Sequence, residues 1–114
     1  MAESYRDIVG PVTALTLFTI KPEYVQAVEA YMKQDVENLL QSAKEGKVPG
    51  FLHIECARYG NTFVSWERYS DPDAVERVIP GRYKEFKHHS LSESFARPPS
   101  IMFFPTGSVL VPTK

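Results

Sequence analysis

Cysteine and tryptophan occur once each in 114 residues. A single cysteine, Cys56, excludes an intramolecular disulfide and fits a reducing compartment. Three histidines without ligand spacing leave no basis for a structural zinc site. An excess of either charge is also missing. Thirteen basic residues against 14 acidic ones give a net charge of -1. That balance leaves no electrostatic footprint for nucleic acid or an anionic membrane. No apolar run approaches a transmembrane span, and the acidic, polar start lacks the apolar centre of a signal peptide. A soluble, cytoplasmic protein is the expectation by elimination. No glycine-rich phosphate loop follows a strand and no paired ligand motif occurs, so neither flavin nor structural metal is expected.

What is present is ordinary for one globular unit. Hydrophobic residues make up 43% and charged residues 24%. The length suits a single domain, residues 1–114, able to bury about two thirds of its unfolded surface.

The central stretch is Val48–Tyr69. Pro49-Gly50 closes off what precedes it, and two β-favouring runs, Phe51–Arg58 and Thr62–Tyr69, flank Gly60-Asn61. That dipeptide suits a two-residue hairpin turn. The register then sets Tyr59 opposite Thr62, Cys56 opposite Ser65 and Leu52 opposite Tyr69. Alternation places Leu52, Ile54, Cys56, Phe63, Ser65, Glu67 and Tyr69 on one face. His53, Glu55, Val64, Trp66 and Arg68 fall on the other. A three-residue turn including Tyr59 would instead bring His53 beside Glu67.

Residues 1–11 read as a loose leader, and Val12–Ile20 as a strand apolar on both faces, hence covered on both. Pro22 opens a helix whose stripe is Val25, Val28, Met32, Val36, Leu39, Leu40 and Ala43, stopping near Gly46. Ser70 or Asp71 caps a short helix, Asp73–Val78, which Pro80-Gly81 is expected to break. A second helical segment follows, Arg82–Phe95. Ile101–Val111 reads as a final strand interrupted at Pro105-Thr106-Gly107. The order β-α-β-β-α-β is the ferredoxin-like arrangement, an α+β fold with both helices on one face of an antiparallel sheet. The opposite face would stay bare in a monomer, so a homodimer with sheets packed face to face is expected.

The PGFL opening of the hairpin and the following FVSWERYSDPDAV, set after a strand and an amphipathic helix, resemble the antibiotic-biosynthesis monooxygenase family of dimeric α+β barrels. The VPGFL motif, the leader and the C-terminal Pro-Pro, apolar run, Thr and Gly are most similar to its cofactor-free, actinorhodin-type branch. The resemblance implies a cofactor-independent monooxygenase with a phenolic or polycyclic aromatic substrate and dioxygen as partners. That branch places Asn, Trp, Tyr and Arg where this chain has Ser65, Tyr69, Val75 and approximately Lys87. The haem-degrading branch uses Asn, Trp and His where this chain has about Leu15, Val78 and His88. Only His88 matches, which argues against haem.

The candidate catalytic residues are therefore Tyr69, Glu67 and His88. Tyr69 is suited to stacking and hydrogen bonding, Glu67 to acting as a base if buried, and His88 to sharing a proton. Ser65, His53 and Lys87 are candidates for substrate binding. The pocket is expected between the helices and the face bearing Ser65, Glu67 and Tyr69. A non-catalytic binding or structural barrel, and an isomerase or cyclase on the same fold, are the competing readings.

Overall fold

The computed structural model describes residues 5–88 and 91–106, the side chain of residue 88 excepted. Strand β1 spans Val12–Thr19, helix α1 Val25–Lys44, β2 Phe51–Tyr59, β3 Thr62–Tyr69, α2 Pro72–His88 and β4 Ser100–Pro105. The four strands form one antiparallel sheet in the order β2-β3-β1-β4. This is the expected α+β, ferredoxin-like arrangement.

The hairpin register holds from the turn outward. Tyr59 lies opposite Thr62, and Cys56 opposite Ser65. At the far end a bulge between Phe51 and His53 shifts it, so Phe51 rather than Leu52 faces Tyr69. The extra residue turns Leu52 outward, 56% exposed, and brings Phe51 into the core. Phe51 then meets the Tyr69 ring edge-on, centroids 5.7 Å apart.

Three further expectations need correction. Residues 5–11 are docked: the Tyr5 ring lies 4.9 Å from that of Phe103, and Arg6 pairs with Asp73 and Glu76, each at 3.0 Å. Helix α2 runs unbroken through Pro80. Proline forfeits one backbone hydrogen bond, but buried Val75 and Val78 hold the preceding turns and buried Phe86 the following ones. The helical segment does not reach Phe95: α2 ends at His88, and Leu91 and Phe95 flank a separate turn, Ser92–Ser94. The expected strand beyond Gly107 lies outside the described residues. The cap on α2 is as expected, with Asp71 Oδ1 accepting the Ala74 N–H at 2.9 Å. That hydrogen bond holds the Asp71 carboxyl below its usual range.

The interior is split. One apolar cluster joins Val12, Ala14, Leu39, Ile54, Tyr69, Val75 and Val78. The other joins Phe18, Ile20, Val28, Met32, Phe63 and Phe86. Each wholly buried aliphatic or aromatic side chain contributes about 1.5–3 kcal/mol, so the two clusters carry the fold. Between them the inward stripe of every central element turns polar. Thr16 interrupts β1, Ser65 and Glu67 interrupt β3, Asp35 interrupts α1 and Arg82 interrupts α2.

On the sheet's other face, β1 and β3 present Leu15, Leu17, Val64 and Trp66, and β4 adds Met102 and Phe104. Leu17 is 44% and Met102 43% exposed there.

Candidate active site

The polar layer between the two clusters borders a cavity of about 150 Å³. Thr16, Ser65, Asp35, Glu67 and Arg82 line it, under walls that include Phe18, Tyr31, Phe86 and Phe95. The Tyr31 and Phe86 rings meet edge to face with centroids 5.3 Å apart, and Phe86 and Phe95 lie 5.4 Å apart. The cavity is aromatic at its walls and charged at its floor.

Arg82 organises the floor. Its Nη2 donates to Asp35 Oδ2 at 2.7 Å, and its Nη1 pairs with Glu67 Oε2. The Tyr69 hydroxyl donates to the other Glu67 oxygen, Oε1. The Glu67 side chain is only 5% exposed, so a buried carboxylate is met by one guanidinium and one phenol. Burial alone would push the guanidinium toward neutrality, but the two carboxylates override it and raise its pKa, so Arg82 stays charged. Burial first, and the Glu67 charge second, push the Tyr69 phenol far above its ordinary value. It remains a protonated donor and is not itself a base. Burial, with Asp35 second, pushes Tyr31 up to about 12. The Arg82 Nε is buried without a hydrogen-bond partner.

Of the six residues singled out from sequence, the structure brings three together. Ser65 and Glu67 line the cavity, and Tyr69, wholly buried, stands behind Glu67. His53 lies on the opposite sheet face, half-exposed, with Nε2 3.6 Å from Glu55 Oε2. Lys87 is exposed on α2 and does not itself line the cavity, although its Nζ lies 5.7 Å from the ring centroid of Tyr83, which does. The His88 side chain lies outside the described residues.

Sequence reading missed Asp35 and Arg82, although a signal existed. Val28, Met32, Asp35 and Leu39 recur at helical spacing on one face of α1, and Val75, Val78, Arg82 and Phe86 do so on α2. A charge standing in an apolar stripe marks a buried ion pair or a site. Cys56 lies in a second groove, between α1 and β2, with its thiol pushed up to about 11 by burial. It is therefore a protonated, weakly nucleophilic thiol at neutral pH.

A helix-covered antiparallel sheet with a cavity between layers is the class of protein that fold and site define. Solved structures share it. A Nitrosomonas europaea protein provisionally named an antibiotic biosynthesis monooxygenase superposes with a TM-score of 0.71 at 13% identity, covering 89% of this chain and 95% of its own. Another antibiotic biosynthesis monooxygenase gives 0.66 at 15% identity, covering 83% and 97%. A variant of SnoaB, a cofactor-independent oxygenase from Streptomyces nogalater, gives 0.56 at 20% identity, covering 88% and 96%. No family model and no curated protein matches the chain. At these identities the likeness shows the fold.

Proposed function

We propose that this protein is a cofactor-independent monooxygenase of the actinorhodin type, acting on a phenolic aromatic metabolite. The observation that carries the reading is the aromatic-walled cavity closed at its floor by Asp35, Arg82 and Glu67. Its volume matches about one aromatic ring, since an engineered cavity near 150 Å³ takes benzene. Further rings of a larger substrate would extend toward the opening. Drawing the hydroxyl proton of a hydroxyarene toward a base makes the ring electron-rich enough to react with dioxygen, without haem, flavin or metal. One oxygen atom joins the ring carbon para to the hydroxyl. The other leaves as water with the hydroxyl hydrogen and that carbon's hydrogen. The quinone formed has given up four electrons, all of which dioxygen receives. A carboxylate at the floor takes the proton, and aromatic walls exclude water.

Metal-free protein in chelator should consume dioxygen with a phenol or 1-naphthol well above the protein-free rate, one equivalent per quinone. No uptake across mono- and bicyclic hydroxyarenes would leave the non-catalytic binding barrel as the better reading.

The chain is further proposed to work as a homodimer. The apolar face of Leu15, Leu17, Val64, Trp66, Met102 and Phe104 is the surface a second sheet would cover. Light scattering at micromolar concentration should give twice the chain mass. A monomer would refute the dimer.

A further inference from the structure

We infer that Asp35 is the carboxylate that meets the substrate, and that its Oδ1 accepts the hydroxyl hydrogen of a neutral hydroxyarene. This rests on the reading of the cavity as a hydroxyarene site. Three observations on the floor lead to it. First, both oxygens of Glu67 are already engaged, Oε1 by the Tyr69 hydroxyl and Oε2 by Arg82. Each oxygen keeps a second acceptor site, but at 5% exposure the Glu67 carboxylate has little surface to offer a ligand. Second, Asp35 spends only Oδ2, on Arg82 at 2.7 Å. Among the described residues no donor engages its Oδ1, and the Asp35 side chain keeps 16% of its surface where Glu67 keeps 5%. Third, Asp35 lines the cavity one helical turn beyond Tyr31 and Met32, which line it too, so a ring held among Tyr31, Phe86 and Phe95 has the Asp35 carboxylate on the same wall.

The charge inventory selects the ligand class. Asp35, Glu67 and Arg82 are the charged residues lining the cavity among those described, and with both carboxylates ionised they sum to -1. The one cation is held by both anions. An arene carboxylate finds no free positive partner there, whereas a neutral hydroxyl finds an open acceptor. In the reaction the substrate O–H bond breaks, its proton goes to Asp35 Oδ1, and its electron pair stays on the substrate oxygen. Ordinary phenol and carboxylate pKa values lie about six units apart, so the proton at first stays on the substrate oxygen, hydrogen-bonded to Asp35. It transfers fully as dioxygen draws an electron from the ring, which makes the hydroxyl far more acidic. Glu67 and Tyr69 are then positioning residues that hold Arg82, and through it Asp35.

The test compares phenol, anisole and benzoate binding by calorimetry at pH 7 on wild type, Asp35→Asn, Asp35→Ser and Glu67→Gln, with dioxygen uptake in parallel. Asn retains an acceptor for Arg82, and Ser serves if Asn disturbs the fold. Wild type should prefer phenol over anisole at least tenfold and exclude benzoate. Asp35 variants should lose that preference and, where uptake occurs, about 10²–10⁴ in rate. Glu67→Gln, which removes no oxygen of Asp35, should weaken the preference less than either Asp35 variant, and a larger loss there would overturn the inference. An Asp35 variant that folds and still prefers phenol overturns the inference, as does a wild type that binds anisole equally or binds phenol not at all. A preference that depends on Asp35 without any dioxygen uptake upholds the Asp35 assignment and overturns only the oxygenase reading.

Discussion

Replacing Arg82 with Met is expected to destabilise the fold by about 3 kcal/mol at pH 7, because it leaves two carboxylates without their cation. Glu67 is almost wholly buried and retains only the Tyr69 hydroxyl. Asp35 loses its 2.7 Å partner. The penalty is a large share of a stability typically between about 5 and 15 kcal/mol. Its pH dependence separates a lost charge from lost packing. In the variant two carboxylates lose the cation that balances their burial, a cost present only while they carry charge. The gap in urea midpoint between Arg82→Met and wild type should therefore narrow as the solution is acidified. Equal midpoints for variant and wild type at pH 7 would show that Arg82 is not the electrostatic centre of the floor. Arg82→Lys should fall between, since one ammonium replaces a fork that reaches two carboxylates.

Gly50→Ala should be comparably damaging for a backbone reason. Gly50 has φ +88°, a left-handed conformation costly for any residue with a Cβ. An added Cβ would lie 2.5 Å from Ala74 Cβ and 2.9 Å from Ser70 Oγ, at the seam where β2, the end of β3 and α2 converge. The Gly50 carbonyl also accepts the Ser70 N–H at 2.7 Å, so the backbone cannot move aside freely. Conformational strain and overpacking, each worth about 1–3 kcal/mol, act together here. Gly60→Ala is the control. It shares a positive φ, +62°, but has nothing within 4 Å, so about 1 kcal/mol is expected. Denaturant titration that ranks Gly60→Ala as the worse variant would contradict the packing at Gly50.

How far the fold was legible follows from which signals are local. The hairpin turn, the cap at Asp71 and the stripe of α1 depend on residues a few positions apart, and the structure agrees with each save at Leu40, which is 40% exposed. The bulge at Leu52 depends on Phe51 reaching the core beside Tyr69, a tertiary gain that alternation does not register. The same holds for α2, where packing on both sides of Pro80 outweighs the local signal to break.

The site was legible by half, for a related reason. Ser65, Glu67 and Tyr69 share one strand face, so period-two alternation groups them without knowledge of the fold. Asp35 and Arg82 are 47 residues apart and meet only when α1 and α2 lie side by side on the sheet. Each is a charge inside an apolar stripe, and a reading that follows only the apolar residues of a stripe passes over both. His53 was ambiguous only while the register was open, and the observed pairing with Arg68 puts it on the face away from the helices.

The most direct measurement is product analysis after turnover of a hydroxyarene under ¹⁸O₂ by chelator-treated protein. One labelled atom in the quinone and one in water, absent from the protein-free control and lost in Asp35→Asn, is the expected result. A quinone whose new oxygen comes from solvent, or one formed equally fast by wild type and Asp35→Asn, would contradict oxygenation at the Asp35–Arg82–Glu67 floor.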